Sequence, residues 1–253
     1  MKKFKKKQVI ATTNKPLNSV VIEGVSASES ILKEMWKLRL DFLNLSISEK
    51  DDWIIFRQNC RKRNTVLVNF YDQGGKLQGY YTFFFNPVKH ASRRALLVHA
   101  KYYYVRPDYR GNYKFTFSSL KLIPGLIRRY GLRPIYLVAF SFPTSYVSLS
   151  RTFGSAMAAQ EDSIPEWEKF VLESYSSAEN GSNWDDERKL IVNQNVPIGE
   201  DRPASLSVRH LKEHYQAMNP QWNKGISLPI MMKFDFATLK NVIKTNVRRK
   251  IRR

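Results

Sequence analysis

Residues 95–125, ALLVHAKYYYVRPDYRGNYKFTFSSLKLIPG, constrain this chain more than any other stretch. Up to Val105 the positions are rich in β-branched, aliphatic and aromatic side chains with few breakers, which predicts a buried strand. Pro107 and Gly111 then punctuate a turn. Beyond it Tyr113, Phe117, Leu120 and Ile127 recur at helical spacing, so the strand is expected to feed a helix that runs to about Tyr130. Pro124-Gly125 falls inside that helix and should kink or break it. The first N–H groups of such a helix have no partner within it and face the end of the strand. The stretch can therefore hold an anionic group beside a reacting group on the strand.

The flanking sequence supplies a sheet for that strand. SVVIEGVS (19–26) reads as a short strand, and Ser28 or Ser30 can cap the helix that follows. In that helix Ile31, Met35, Leu38, Phe42 and Leu45 form one apolar face. A short helix is expected over about Lys50–Arg61, with Trp53 and Phe56 turned inward. TVLVNFYD (65–72), a turn at Gly74-Gly75 and LQGYYTFFF (77–85) then predict a β-hairpin. PIYLVAFSF (134–142) is nearly continuous in apolar residues, as in a strand covered on both faces. A helix capped by Thr144 should run to Phe153 and stop at Gly154. Further on, 164–177 and 207–217 read as helices, and 189–196 and 226–236 as strands. Residues 178–188 and 197–206 read as loops.

Charge is concentrated at the ends. The net charge is +20, with five lysines in residues 1–7 and seven Lys or Arg in residues 240–253. Residues 1–18 are expected as a basic flexible arm. Residues 237–253 are expected as a basic helix with Leu239, Ile243, Val247 and Ile251 on one side. Such tails suit nucleic acid, an anionic membrane surface or an acidic protein. Cys60 is alone, which excludes an internal disulfide framework and fits a reducing compartment. With no apolar run near the ~18 residues of a membrane span and no apolar stretch behind the basic start, a cytoplasmic location is expected.

The order of elements over residues 19–154 resembles that of the GCN5-related N-acetyltransferase superfamily, and VRPDYRGN (105–112) resembles that family's V-x-P-x-x-R-G segment. The resemblance implies an α/β fold, with a mixed central sheet flanked by helices. The domain would span residues 19–236, its core at 19–154, with a C-terminal extension beyond. It further implies transfer of an acetyl or longer acyl group from a pantetheine thioester to a small-molecule or peptide amine. In that family the strand before the turn splays from its neighbour and the thioester donor lies in the gap. By this likeness Val105 would hold the pantetheine arm, and Arg110, Gly111 and Asn112 the phosphate of acetyl-CoA or another acyl-CoA.

Two departures bear on the donor and the acid. Tyr113 and Phe115 stand where the family has small residues, and their bulk would obstruct a pyrophosphate. An acidic acyl carrier protein, whose phosphopantetheine has one phosphate, is therefore a second candidate donor. Ser150 stands where the family often has an acidic tyrosine, so Tyr146, one turn earlier, is the candidate acid for the leaving thiolate. His99 on the strand is the candidate base for the amine. Two rival readings come from other features. HLKEH (210–214) has the H-x-x-E-H spacing of a zinc site, but Asp235 is the only acid after Glu213, so no metal ligands are assigned. A non-catalytic module binding nucleic acid or an anionic membrane through the basic termini is the alternative function.

Overall fold

The computed structural model describes residues 15–110, 112, 114–115, 118, 121–154, 156–192, 196–197, 205–235, 237–240 and 242. Strand β1 (Asn18–Glu23) leads to helix α1 (Glu29–Leu40), the short strand β2 (Leu43–Asn44) and helix α2 (Glu49–Cys60). The serines before α1 and α2 cap them: Ser28 Oγ accepts from the Ile31 N–H, and Ser48 Oγ from the Asp51 N–H. The hairpin β3 (Thr65–Tyr71) and β4 (Leu77–His90) follows, and then β5 (Arg93–Val105). Helix α3 (Ile123–Tyr130) begins with Pro124 in its first turn, so the proline expected to interrupt a longer helix starts a new one. Gly131 closes α3 at φ +75°, where a side chain would be strained.

Strand β6 (Ile135–Ser141) leads into α4 (Pro143–Phe153). The hydroxyl at the start of α4 is supplied by Ser145, which accepts from the Phe142 N–H at 2.9 Å, rather than by Thr144. The two-residue strand β7 (Met157–Ala158) and helix α5 (Glu166–Asn180) come next, followed by β8 (Trp184–Asp185), β9 (Leu190–Val192) and β10 (Val196–Pro197). Helix α6 (Arg209–Met218) and strand β11 (Ile226–Phe234) complete the described elements. Part of the loop expected at 178–188 is thus helix and strand. The strand expected over 189–196 is split: β9 pairs with β8 and β11, while β10 pairs with β2.

The central sheet runs β1-β3-β4-β5-β6-β11-β9-β8, with β7 beside β11. Its pairings are antiparallel except β5 with β6, the one parallel pair among the described strands. This is the mixed, helix-flanked α/β sheet expected from the sequence. Strand β11, from far down the chain, inserts between β6 and β9, so the segment beyond 154 completes the same sheet. One face packs on α3, where Leu96, Val98 and Val105 join Val68, Phe70, Tyr81 and Phe115. Farther along that face α4 and α6 cover Ala139, Leu228, Ile230 and Met232. The opposite face is covered by α1 and α2 over Leu67, Tyr80 and Tyr102, and by α5 over Leu97, Tyr136, Val138 and Met231.

A register shift in the β4–β5 pair leaves Lys101 as an extra residue between Tyr102, opposite Thr82, and Ala100, opposite Phe83. Strict alternation places Tyr102 and Tyr104 on the face away from His99. The bulge reverses that, because one inserted residue inverts every later side chain. Tyr102 and Tyr104 therefore share the α1–α2 face, and Tyr103 stacks on Tyr81 on the other, ring centroids 4.6 Å apart.

Of the expected arm, Lys15–Leu17 are held rather than free. Leu17 is buried among Val68, Phe70 and Phe115, and the sheet begins at Asn18. Residues 1–14 lie outside the described residues. So does most of the expected C-terminal helix: Ala237–Lys240 and Val242 are helical, with Asp235 capping the Thr238 N–H, and the remainder is not described.

Candidate functional site

The site begins where β5 and β6 part. Their pairing covers only Leu96–His99 against Ile135–Val138, although β5 continues to Val105 and β6 to Ser141. From His99 onward the two strands diverge, and a gap opens toward their C-terminal ends. The Arg106 N–H donates to the Gln78 carbonyl at 2.9 Å. By the alternation of an antiparallel ladder, Tyr104 and Tyr102 then exchange bonds with β4. The N–H and C=O groups of Tyr103 and Val105 point the other way, into the gap. A flexible amide-bearing chain lying there would meet two N–H donors and the Tyr103 carbonyl on one strand edge, the Val105 carbonyl being taken by Arg110.

The turn closes the wide end of this gap. Arg110 Nε donates to the Val105 carbonyl at 3.2 Å, and its guanidinium carbon lies 5.6 Å from the Phe42 ring centroid. Val105 and Arg110 are thus brought together as the sequence implied, and Asn112 stands two residues on; Gly111 and Tyr113 lie outside the described residues. The N–H groups of Tyr109, Arg110, Asn112, Lys114 and Phe115 already have partners. Those of Arg110 and Asn112 donate to the Pro107 and Tyr109 carbonyls, that of Phe115 to the Asn112 carbonyl, and that of Lys114 to Asn112 Oδ1. Asn112 Nδ2 donates to the Lys15 carbonyl at 3.0 Å, and Lys114 Nζ to the Leu17 carbonyl at 2.6 Å. The N-terminal segment is therefore strapped across the turn, and a phosphate there would meet a loop in which those backbone donors are engaged.

Phe115 does not crowd the loop as its bulk suggests. Its ring is buried 4.3 Å from that of Phe70. Gly79 makes room for it: a Cβ there would stand 3.1 Å from the Phe115 ring and 2.9 Å from the Tyr104 carbonyl oxygen. Glycine is the residue that permits this close approach.

His99, the last β5 residue paired with β6, sits at the apex of the gap. Its ring is fully buried, with the Phe140 centroid at 4.5 Å and the Tyr175 hydroxyl 2.9 Å from Nδ1. Burial pushes its pKa well below the ordinary histidine value, and Lys101 and Lys62 push the same way, so the imidazole is neutral. Lys101 is in turn paired with Glu179 of α5, which also reaches Lys62 at 3.8 Å.

Tyr146 is not brought together with His99. It lies on the opposite face of the sheet, with its ring 5.4 Å from that of Tyr215 and 6.3 Å from that of His214. Tyr146 and Ser150 line a cleft of about 450 Å³ between α4 and α6, with His210 and His214 on its other side. Burial raises the Tyr146 pKa above the ordinary tyrosine value. His214 Nε2 is 3.0 Å from Glu161 Oε1, and among the described residues no three His, Cys, Asp or Glu side chains converge as metal ligands.

Three contributors to the site escaped the sequence reading. The Tyr103 backbone faces the gap only because of the ladder's parity. Tyr175 reaches His99, and Asn86 reaches the Tyr175 hydroxyl, from elements with no motif to mark them. The signal for Tyr175 would have been the α5 stripe Leu172, Tyr175, Ser176, Glu179, polar along a face that should be apolar.

No family model matches the sequence, and no curated protein does. Solved structures are similar to the fold at low identity. A ribosomal-protein-alanine N-acetyltransferase from Brucella melitensis biovar Abortus 2308 is 15% identical with a TM-score of 0.41, over 60% of this chain and 99% of that one. An acyl-CoA N-acyltransferase from Pseudomonas aeruginosa is 14% identical with a TM-score of 0.39, over 58% and 92% of the two chains. Arabidopsis thaliana NAA60 in complex with a bisubstrate analogue is 12% identical with a TM-score of 0.38, over 57% and 90%. The functional reading is carried instead by the β5–β6 gap and what lines it. Element order, the parallel pair and that gap make this a divergent fold of the GCN5-related N-acetyltransferase kind.

Proposed function

We propose that the protein transfers an acyl group from a pantetheine thioester to an amine. The observation that supports this best is the β5–β6 gap, which turns the N–H groups of Tyr103 and Val105 and the Tyr103 carbonyl to one edge, has the Val105 carbonyl tied to Arg110, and ends at His99. A pantetheine arm carries two amides, whose carbonyls match the two N–H groups of Tyr103 and Val105. The thioester would then lie at the apex, beside His99, with the phosphate end at Arg110, Gly111 and Asn112. Tyr146 faces α6, and no contact with the donor is assigned to it.

Acyl-CoA is the first candidate donor. Acyl carrier protein is the second, favoured by one observation: the N–H groups from Tyr109 to Phe115 that the structure describes are engaged, and Asn112 is committed to Lys15. A donor with one phosphate asks less of that loop than a pyrophosphate, and an acidic carrier suits the +20 chain.

The test is turnover by the full chain with acetyl- to long-chain acyl-CoA, and separately with acyl carrier protein, against amino acids, polyamines and peptide amines. Thiol release and product mass report transfer. Turnover from the carrier alone would select the carrier, and turnover from free acyl-CoA would exclude a strict need for it. Neither turnover nor donor binding by native mass spectrometry, together with binding to nucleic acid or anionic vesicles, would overturn the transferase reading in favour of a non-catalytic module.

A further inference from the structure

His99 was expected as a base, and its hydrogen bonds argue for a different part in the reaction. The Tyr175 hydroxyl has two polar neighbours. Asn86 Nδ2 donates to it at 3.3 Å, and His99 Nδ1 is 2.9 Å away. The amide nitrogen of Asn86 brings protons and cannot accept one, so of these two neighbours only His99 Nδ1 can accept the hydroxyl proton of Tyr175, which would otherwise be buried without an acceptor. A nitrogen that accepts this bond holds its lone pair there. In a neutral imidazole the ring proton must then sit on Nε2. That Nε2 is buried and has no hydrogen-bond partner. A buried donor left without an acceptor is costly, and such a group in a native fold points to a missing partner.

The position of the ring indicates that partner. His99 closes the paired part of β5 and β6, and its imidazole leans across the parting strands onto Phe140 of β6. Any group at the blind end of the gap lies against this residue. Resting on the acyl-transfer reading above, we infer that His99 Nε2–H donates a hydrogen bond to the thioester carbonyl oxygen, with Tyr175 and Asn86 as the positioning residues that hold its tautomer.

The step balances without any further reagent. The amine lone pair adds to the carbonyl carbon, and the π pair moves onto oxygen, where Nε2–H meets the growing negative charge. Collapse breaks the C–S bond, the thiolate leaves with that electron pair, and one amine proton ends on sulfur through solvent. His99 keeps its proton throughout. It acts by charge stabilisation, in surroundings of Phe84, Phe140 and Tyr175 where a hydrogen bond is stronger than in water.

Two measurements test this on the full chain. Long-range ¹H–¹⁵N spectra of histidine-labelled protein should show His99 protonated on Nε2, and its proton resonance should move downfield on adding a non-transferring thioether analogue of the acyl donor. Protonation on Nδ1 would overturn the inference whether or not the protein turns over. In kinetics, His99→Ala should lower kcat by ~10²–10³-fold with the donor KM nearly unchanged, the usual loss for one oxyanion donor. His99→Gln keeps an N–H donor but no base, and should recover a substantial part of that loss. Tyr175→Phe should lower kcat and shift the tautomer toward Nδ1–H. Wild-type turnover with an unaffected His99→Ala, or with Gln as poor as Ala, would refute the role of His99 alone. No turnover in the wild type would instead remove the acyl-transfer reading and this inference with it.

Discussion

The Arg39–Asp52 pair is the most exposed point in the fold's energetics. Asp52 accepts from the Trp36 indole N–H at 2.8 Å and from the Arg39 guanidinium, and so fastens α2 to α1. Both charged side chains are almost fully buried, at 6% and 3% exposure. The guanidinium carbon lies 5.9 Å from the Phe56 ring centroid and 5.6 Å from that of Tyr102. Burial opposes the charge, but Tyr104 and Asp52 outweigh it and hold the Arg39 pKa above its ordinary value. Asp52→Ala leaves a guanidinium that cannot shed its proton in a site without a counter-charge. The expected cost is about 3–5 kcal/mol, the usual range for breaking a buried pair from one side. With m near the ~3 kcal/mol/M upper end for small proteins in urea, the midpoint should fall by roughly 1–1.7 M. The double variant Arg39→Met with Asp52→Leu removes both charges and should return to within about 2 kcal/mol of the parent, because desolvation of a buried pair consumes most of its attraction. Urea unfolding followed by far-UV circular dichroism reads all three proteins. A loss below about 1 kcal/mol in Asp52→Ala, or a double variant no more stable than that single one, would refute the assignment of a desolvated, mutually dependent pair.

Other outcomes follow from the strapped segment and the lone thiol. Leu17→Ala empties a site between Val68, Phe70 and Phe115 and should cost about 2–5 kcal/mol by differential scanning calorimetry; an unchanged Tm would show that the strap does not pack. Asn112→Ala breaks the bond to the Lys15 carbonyl and the cap on the Lys114 N–H. Proteolysis near Lys15 should accelerate by about 5–150-fold, from the ~1–3 kcal/mol such groups are worth, and an unchanged cleavage rate would count against the strap. Cys60 is buried, and burial pushes its thiol pKa up to about 12. It should therefore not react with a disulfide reagent at pH 8 in the folded protein, which leaves thiol-release assays clean. A thiol whose folded pKa is raised supports the fold below its ordinary pKa near 9, and that support is lost as pH rises toward 12. Cys60→Ala should lose less stability than the parent over that window, and equal losses in thermal melts would remove the linkage.

Much of the framework was legible along the chain because it follows from local rules. The β3–β4 hairpin, the β5 strand and α4 each announce themselves by side-chain period and by bounding glycines. Strand β6 was readable too, since its apolar run suits a strand covered on both faces; its parallel pairing with β5 was not. The turn after β5 was legible in part: Arg110 does reach Val105. The roles of single side chains were less so. Phe115 looked like an obstruction because bulk shows in a sequence and direction does not; Gly79, more than thirty residues away, turns it inward. Tyr146 sits on the expected helix, yet α6, arriving from beyond residue 205, takes up its face. Tyr102 and Tyr104 changed faces because a bulge is a property of two paired strands and leaves no mark on one of them.

Local order, composition and spacing were enough to determine the succession of elements, the strand–turn–helix at Val105 to Asn112, and a charge excess placed at the two ends. These depend on neighbours within a few residues, whose preferences do not need the rest of the fold. Only the tertiary structure decided where β5 and β6 part, which backbone groups that leaves unpaired, that Lys15–Leu17 cross the turn, and that Tyr175 reaches His99. Each of these is a contact between segments distant along the chain, and the register of such contacts is chosen by the packing of the whole sheet.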